Sequence, residues 1–286
     1  MAKSSDSSQE ENAFVIDESS MEMAWLLNQN LVLTKGMGGL FPEEFDLSQA
    51  SSMLDIACGP GGWVLEVARE YPHIEVTGFD VSKQMIDYAR AHAKARGLDN
   101  AHFEVMDALK PLAFPNANFD MVNARTIVGF MNPDAWSLLM QEIMRVCRPQ
   151  GIICLTEFEL PMTNSPAFEQ INEMVVRAFQ MAQRNFFTHT KYFGTTTMLG
   201  RLLRDNGCQD IKKKAHAIDF SAQTTEHEGV YQDYQIVYHL IQPFLIKMGV
   251  TTAEDMQWIY QNMLAEMLST DFSGIWYYLS AWGKRP

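Results

Sequence analysis

The chain has 286 residues, of which 47% are apolar, and it carries a formal net charge of −13. This length and composition allow one large core, or one core with a cap. The negative charge argues against nucleic acid as a substrate, because contacts to phosphate groups need clustered lysine and arginine. No run of residues approaches the roughly 20 apolar residues that a membrane span needs, so no membrane partner is expected.

The N-terminal segment and the cysteines indicate the type of chain. Residues 1–18 are rich in serine and glutamate and lack the apolar core of a signal peptide, so we expect a disordered tail. The four cysteines show neither C-x-x-C spacing nor a nearby pair of histidines. We therefore expect no metal site and no disulfide, and buried thiols in the reducing cytoplasm are the default.

The glycine-rich segment of residues 59–62 is the most informative feature of the chain. It follows a short apolar run, residues 53–57, that is interrupted by Asp55, and a helical pattern begins at Trp63. The pattern is typical of a buried parallel strand that passes directly into a helix. Such a turn brings backbone N–H groups close to a ligand, and it predicts a pocket for a nucleotide-like cofactor.

The spacing of the glycines bears on which cofactor this is. A dinucleotide site needs G-x-G-x-x-G, in which the third glycine lets the helix pack closely on the strand. Gly59 and Gly61 fit this pattern, but Val64 occupies the third position. A nicotinamide oxidoreductase is therefore disfavoured, and a purely structural turn remains the alternative for the loop taken alone.

Strand and helix patterns alternate through the rest of this region, which predicts a parallel sheet with helices on both faces. Ligands of such sheets lie beyond the carboxyl ends of the strands, where the strand order reverses. Asp80, Asp107 and Asn123 fall at such ends. The predicted strands are residues 53–57, 73–80, 101–108, 119–125 and one ending at 157; the clearest helix is 83–96, between Ser82 and Gly97.

Taken together, these motifs resemble those of the class I S-adenosylmethionine-dependent methyltransferases. The D-x-A-x-G-x-G run of residues 55–61 is similar to their motif I, and R-V-C-R-P-Q-G at 145–151 is similar to their turn before strand five. Gln150 replaces the usual first glycine of that turn. The resemblance covers residues 53–157 and implies an α/β fold: a Rossmann-like, seven-stranded, mostly parallel sheet. It also implies S-adenosylmethionine as the cofactor.

The resemblance assigns roles to individual residues. Asp80 would accept the ribose hydroxyls, and Asp107 would accept from the adenine amino group. Arg125 would pair with the methionine carboxylate, although a structural ion pair is equally compatible with the sequence. The candidate cofactor-binding residues are Asp55, Ala57, Gly59, Gly61, Asp80, Val81, Met85, Asp107, Ala108 and Asn123, the last expected on the floor near the sulfonium.

The remaining segments are expected to shape the acceptor pocket. Residues 19–48 form an N-terminal helix that either folds over the cofactor as a lid or packs on the sheet. The core spans residues 49–223, and the last strand spans 273–286. Between the sixth and seventh strands, residues 224–272 hold two helical patterns that look like a cap. Its tyrosines and methionines suit a hydrophobic or aromatic acceptor, but an ordinary core or a homodimer interface is an alternative reading.

Methyl transfer needs chiefly alignment of the reactants and exclusion of water. A hydroxyl acceptor would also benefit from a general base, for which His189 and His239 are weak candidates, since surface or core histidines are commoner. We therefore expect methyl transfer to an oxygen, nitrogen or carbon atom of a small molecule. The alternative is a protein on the same fold that binds S-adenosylmethionine without methylating anything.

Overall fold

The computed structural model describes residues 20–187 and 191–286. The predicted tail, Ser19 and His189 lie outside the described residues. The helices are α1 (Ser20–Gly36), α2 (Gly62–Glu70), α3 (Lys83–Arg96), α4 (Pro133–Val146), α5 (Pro166–Met181), α6 (Thr195–Asp205), α7 (His227–Lys247) and α8 (Ala253–Met267). The strands are β1 (Ser52–Ile56), β2 (Glu75–Asp80), β3 (Ala101–Val105), β4 (Phe119–Arg125), β5 (Cys147–Phe158), β6 (Met162–Thr163), β7 (Gln209–Asp219) and β8 (Gly274–Lys284).

Within the described residues, eight strands form one sheet. The order is β3-β2-β1-β4-β5-β8, and β7 and the short β6 both pair with β8. Strands β1 to β5 are mutually parallel, whereas β8 runs antiparallel to β5 and β7. The predicted mostly parallel, Rossmann-like sheet is confirmed. The eighth strand, β6, was not predicted; its two residues pair with β8 just beyond the stretch that pairs with β5.

Helices cover both faces of the sheet because successive strand residues point to opposite sides. Met53 of β1 packs with residues of α2 and α3, whereas the next residue, Leu54, packs with residues of α4 and α6. Both side chains are fully buried. The nearly continuous apolar strands of the sequence are thus explained by burial on both faces.

A second, helical layer lies beside the end of β5 and consists of α1, α5, α7 and α8. Its core includes Phe168, Tyr234, Tyr238 and Met263, all at most 3% exposed. The two helices predicted between the last two long strands are present as α7 and α8, and most of their methionines and tyrosines serve as core. No helix in residues 20–187 or 191–286 has the length and apolar character to cross a bilayer.

Two residues with a positive φ mark turns of the chain, and one predicted strand is shorter than expected. Helix α5 ends at Met181, and Gln183, two residues later, takes a φ of +56°, which does not continue a right-handed helix. The predicted third strand stops at Val105. Gln150, at the position of the family's glycine, has a φ of +63°, so the turn keeps a backbone conformation that glycine would adopt more easily.

Candidate active site

The register of the sheet brings the ends of three strands together. Ile56, the last residue of β1, pairs with β2 on one side and with β4 on the other. The residues that follow these pairs, Ala57, Asp80 and Arg125, therefore meet at one edge. This is also where the strand order reverses, because β2 and β4 lie on opposite sides of β1.

A cavity of about 760 Å³ opens at this edge. Its walls come from the loop after β1, the ends of β2 and β4, the segment after β3, and helix α1. Eight of the ten candidate cofactor-binding residues line it: Asp55, Ala57, Gly59, Asp80, Val81, Met85, Asp107 and Ala108. The predicted strand ends thus converge on one site.

Gly61 is a candidate that does not line the cavity. Its φ is +80°, and a Cβ placed on it would lie 2.6 Å from the Phe103 ring and 2.9 Å from the Ala89 Cβ. The residue is at the start of α2, which packs closely against its neighbours. Gly61 therefore acts in the packing of this helix, and not as a wall of the cavity.

Asn123 is the other candidate outside the cavity, where the sequence placed it on the floor. It is 2% exposed, and its Nδ2 donates to Oδ1 of Asp55 at 2.8 Å. Asn123 therefore lies beneath the site and orients a carboxylate that does line it.

Asp55 and Arg125 are two oppositely charged residues that line the cavity. Burial raises the pKa of Asp55 to about 6, against the opposing effects of the Arg125 charge and the Asn123 hydrogen bond. Arg125 donates from Nη2 to Oδ1 of Asn30 at 2.6 Å, and its guanidinium lies over the Trp63 ring at 5.8 Å. Its Nη1 is buried and has no hydrogen-bond partner among the described residues, so it can donate to a bound anion.

Asp80 and Asp107 present carboxylates from the ends of β2 and β3. The Asp80 oxygens accept from the backbone N–H groups of Gly59 at 3.0 Å and Ser82 at 2.9 Å. Asp107 accepts from the N–H of Leu109 at 2.9 Å and pairs with Lys110 at 3.1 Å. These bonds fix both side chains, and each carboxylate oxygen has lone pairs for more than one donor.

Two residues lining the cavity have strained backbones. Ala57, just after β1, has a φ of +52°, and Thr126, just after β4, has a φ of +55°. Residues other than glycine rarely adopt this conformation, and those that do cluster at ligand sites. The strain at the ends of two neighbouring strands supports the assignment of a functional site.

Helix α1 forms a wall that the candidate list omitted. One face of the helix lines the cavity, with Glu22, Leu26, Gln29, Asn30 and Leu33. The predicted alternatives were a lid and a helix packed on the sheet, and this face lies against the ligand cavity. Three consecutive amides, Asn28, Gln29 and Asn30, in an otherwise largely apolar stretch were the available signal in the sequence.

Of the two candidate bases, His239 lies within the described residues. His239 lies on the exposed side of α7 and is not among the residues that line the cavity, so it is not placed to serve an acceptor. It is correctly described as a surface histidine.

A smaller cavity of about 100 Å³ adjoins the first and shares Leu26, Gln29 and Thr126 with it. Apolar and aromatic side chains from α1, α5, α7, β5 and β8 form most of its lining. Asp233 of α7 also lines this cavity and is not among the candidate residues from the sequence. The available signal in the sequence was a carboxylate directly beside the tyrosines of α7.

Comparison with known proteins agrees with the position of the larger cavity. The family model described as a methyltransferase domain matches residues 53–151. These residues are a class I, S-adenosylmethionine-dependent methyltransferase domain. The matched stretch begins at β1 and holds all eight of the candidate residues that line the cavity.

Curated relatives share this domain. Demethylmenaquinone methyltransferase of Deinococcus radiodurans is 38% identical over 109 residues, which are 38% of this chain and 44% of the relative. The 27-O-demethylrifamycin SV methyltransferase of Amycolatopsis mediterranei is 34% identical over 140 residues, 49% of this chain and 48% of the relative. The chain thus spans about half the length of these relatives or less.

A solved structure shares the fold. Phosphoethanolamine N-methyltransferase 2 of Haemonchus contortus, in complex with phosphomonomethylethanolamine and S-adenosylhomocysteine, has a TM-score of 0.51 at 20% identity. The similarity covers 91% of this chain and 53% of that one. The likeness of the methyltransferase domain therefore extends, as fold alone, into the helical layer.

Proposed function

We propose that the chain binds S-adenosylmethionine in the 760 Å³ cavity and transfers its methyl group to a small molecule. The observation that carries this proposal is that eight of the candidate cofactor-binding residues, which come from different strand ends, line one cavity. The residues matched by the methyltransferase family include all the predicted cofactor residues that the fold brings together in one cavity.

The polar groups of the cavity fit the nucleoside part. Asp80, held by two backbone N–H groups, would accept both ribose hydroxyls. Asp107 and the backbone of Ala108 would bind the polar edge of the adenine. Val81, an apolar residue that is 64% exposed at the rim, and the buried Met85 would pack against the ring. Covering Val81 with an aromatic ring would remove exposed apolar surface from water.

The buried charges fit the methionine part. The Nη1 of Arg125, which has no described partner, would donate to the carboxylate. Asp55 would accept from the amino group and would be ionised above a pH of about 6. A zwitterion would thereby meet one cation and one anion, both already oriented by Asn30 and Asn123.

When bound, the cofactor supplies an activated methyl group, and the protein has to orient the reactants and exclude water. Helix α1 closes one side of the cavity, and the strained Thr126 lies where the two cavities meet. The smaller cavity would hold the reactive end of the acceptor. The names of the relatives support small-molecule acceptors, since they name demethylmenaquinone and 27-O-demethylrifamycin SV.

The cofactor assignment is tested by calorimetric titration with S-adenosylmethionine, S-adenosylhomocysteine and NAD. We expect the first two to bind and NAD not to bind. Asp80→Ala should weaken binding by about 1–3 kcal/mol, because two ribose hydroxyls lose a charged acceptor. Asp99→Ala, at an exposed position, is the matched control and should change nothing. An unchanged affinity in Asp80→Ala, or binding of NAD in place of the adenosyl compounds, would disprove the assignment.

Catalysis is tested separately from binding. The protein and S-adenosylmethionine are incubated with phenols, amines and carboxylic acids, and formation of S-adenosylhomocysteine is measured. Release that depends on one acceptor class, together with a methylated product in the mass spectrum, identifies an enzyme. Tight cofactor binding without release for any class would favour the alternative, a protein that binds the cofactor and does not methylate.

A further inference from the structure

The smaller cavity has an unusually aromatic lining. At about 100 Å³ it is smaller than the engineered cavity of about 150 Å³ that accepts benzene, so it suits a compact chemical group. Its aromatic residues come from five different elements or their flanking loops. They are Trp25, Phe158, Phe179, Phe193, Tyr234, Tyr238 and Trp276.

Asp233 is the only carboxylate among the described residues that line this cavity. It is 1% exposed, and Asn28 donates to its Oδ1 only at the long distance of 3.4 Å. The indole of Trp25, which is also neutral, is the other group that lowers the pKa of Asp233 against the effect of burial. No arginine, lysine or histidine of the described chain forms an ion pair with it.

Burying a carboxylate without a cationic partner is costly, because the charge loses its hydration. Such a group either takes up a proton, in keeping with the raised pKa of Asp233, or keeps its charge where a bound cation compensates it. The aromatic rings around it supply the complementary feature, since the faces of Trp, Tyr and Phe attract cations. A compact cation satisfies both requirements at once.

We propose that this cavity is the subsite that binds the methyl acceptor, and that the acceptor is an amine whose ammonium group lies among the aromatic rings beside Asp233. The inference rests on the proposed function, because it names the substrate class of the same site. The shared lining residues Leu26, Gln29 and Thr126 place this subsite next to the cofactor cavity.

The carboxylate has a second use in this arrangement. An ammonium nitrogen has no lone pair to offer, and it must release a proton before it can accept a methyl group. In this arrangement an oxygen of Asp233, which lines the cavity, takes that proton from the nitrogen. A neutral hydroxyl acceptor would leave the carboxylate without a cation, and the aromatic rings would contribute no more than apolar contact.

The test uses the full chain without cofactor and a probe that cannot react. Tetramethylammonium chloride is titrated at constant ionic strength, with sodium chloride as the balancing salt. The uncharged comparison is tert-butanol, which has nearly the same shape. Binding is followed by calorimetry and by the intrinsic tryptophan fluorescence, to which Trp25 and Trp276 contribute from the lining of the cavity.

We expect tetramethylammonium to bind at least about tenfold more tightly than tert-butanol, since a desolvated cation gains from several aromatic faces. Asp233→Asn should weaken the cation by about 30-fold, the loss typical of removing one partner of a buried charge pair, and should leave tert-butanol unchanged. Asp99→Asn makes the same change in charge at an exposed position and should have no effect.

Equal binding of the two probes, no binding of the cation, or a cation affinity that survives Asp233→Asn would overturn the proposal. The comparison of the two probes on the unchanged protein does not depend on how the variant folds. Titration with S-adenosylhomocysteine separates the two hypotheses. If S-adenosylhomocysteine binds and tetramethylammonium does not, only the acceptor assignment fails. If tetramethylammonium binds and S-adenosylhomocysteine does not, the methyltransferase proposal fails.

Discussion

Asp55, Asn123 and Arg125 show how a buried polar network can prepare a site before any ligand arrives. Asn123 holds Asp55 from below, while Asn30 holds Arg125 from the side of α1. The two charges are opposite in sign, yet burial keeps the pKa of Asp55 raised, to about 6. The network therefore combines a fixed geometry with a charge that changes just below neutral pH.

The Asn123→Ala substitution tests this network. Asp55 loses the hydrogen bond that favours its ionised form, so its pKa should rise further above 6. We expect the affinity for S-adenosylhomocysteine to fall with decreasing pH in both proteins, with the midpoint at a higher pH in the variant. Loss of the buried hydrogen bond should also lower the free energy of unfolding by about 1–3 kcal/mol.

Calorimetric titrations between pH 5 and 8.5 and urea unfolding provide the measurements. Asn116→Ala, which changes an exposed asparagine, serves as the control and should leave the midpoint where it is. A pH profile that is identical in Asn123→Ala and the parent protein would show that Asp55 does not sense this bond.

Helix α1 connects parts of the chain that are distant in sequence. Asn28 donates to the backbone oxygen of Gly229 at 2.9 Å, across 201 residues of sequence, and Lys35 pairs with Glu226 at 3.0 Å. The opposite contacts of the helix reach Arg125 through Asn30. Helix α1 thus bridges the inserted helix α7 and the sheet, and it borders the cofactor cavity between them.

Hydrogen exchange should reveal this bridging role. We expect saturating S-adenosylhomocysteine to slow amide exchange in α1 by about tenfold or more. A ligand that contacts α1 only while the helix lines the cavity disfavours local opening of the helix. Helix α4 does not line the cavity and is the internal control, in which exchange should stay the same. Unchanged exchange in α1 of a saturated sample would show that the helix is a fixed part of the wall.

Local signals made much of this architecture predictable. The helix from Lys83 to Arg96 was predicted to the residue, because Ser82 and Gly97 mark its ends. The cofactor candidates at the ends of β1, β2 and β3 were also local: each follows a recognisable strand, and the parallel sheet brings such ends to one edge.

The rest depended on tertiary contacts that no short pattern encodes. The face of α1 that borders the cavity, and the position of Asp233 in the smaller cavity, follow from the packing of helices roughly 200 residues apart. The sequence places Asn123 near the end of a strand, but it does not show that the side chain lies beneath the cavity. That position depends on the hydrogen bond that Asn123 donates to Asp55. Gly61 was read as a cavity residue because its packing against Phe103 involves another element.

For the whole molecule, three buried carboxyl groups dominate the response to pH. Burial raises the pKa of Asp55 to about 6, of Asp233 to about 7 and of Glu157 to about 8, from ordinary values of 3.8 for aspartate and 4.5 for glutamate. From about pH 5, above the range in which carboxyl groups with a lowered pKa such as Asp120 oppose the trend, to about pH 8, these groups hold more protons in the folded protein than in the unfolded chain. The stability of the protein without ligand should fall as the pH rises through this range.

Urea unfolding between pH 5 and 8.5 measures this trend, and each group adds a slope of up to about 1.4 kcal/mol per pH unit within its own window. His216, whose pKa is lowered by burial, opposes the trend only below its ordinary value of 6.5. Asp233→Asn should flatten the slope below pH 7, whereas Asp99→Asn should not. A stability that rises with pH across the range would contradict this account.

The shared border of the two cavities has a consequence for the rate of the proposed methyl transfer. Leu26 and Gln29 contact both cavities, and both belong to α1. A displacement of this one helix would open the two cavities together, so entry and release of both ligands would pass through a single gate. The slowest movement of α1 would then set an upper limit on the number of turnovers per second, whatever the speed of the chemical step.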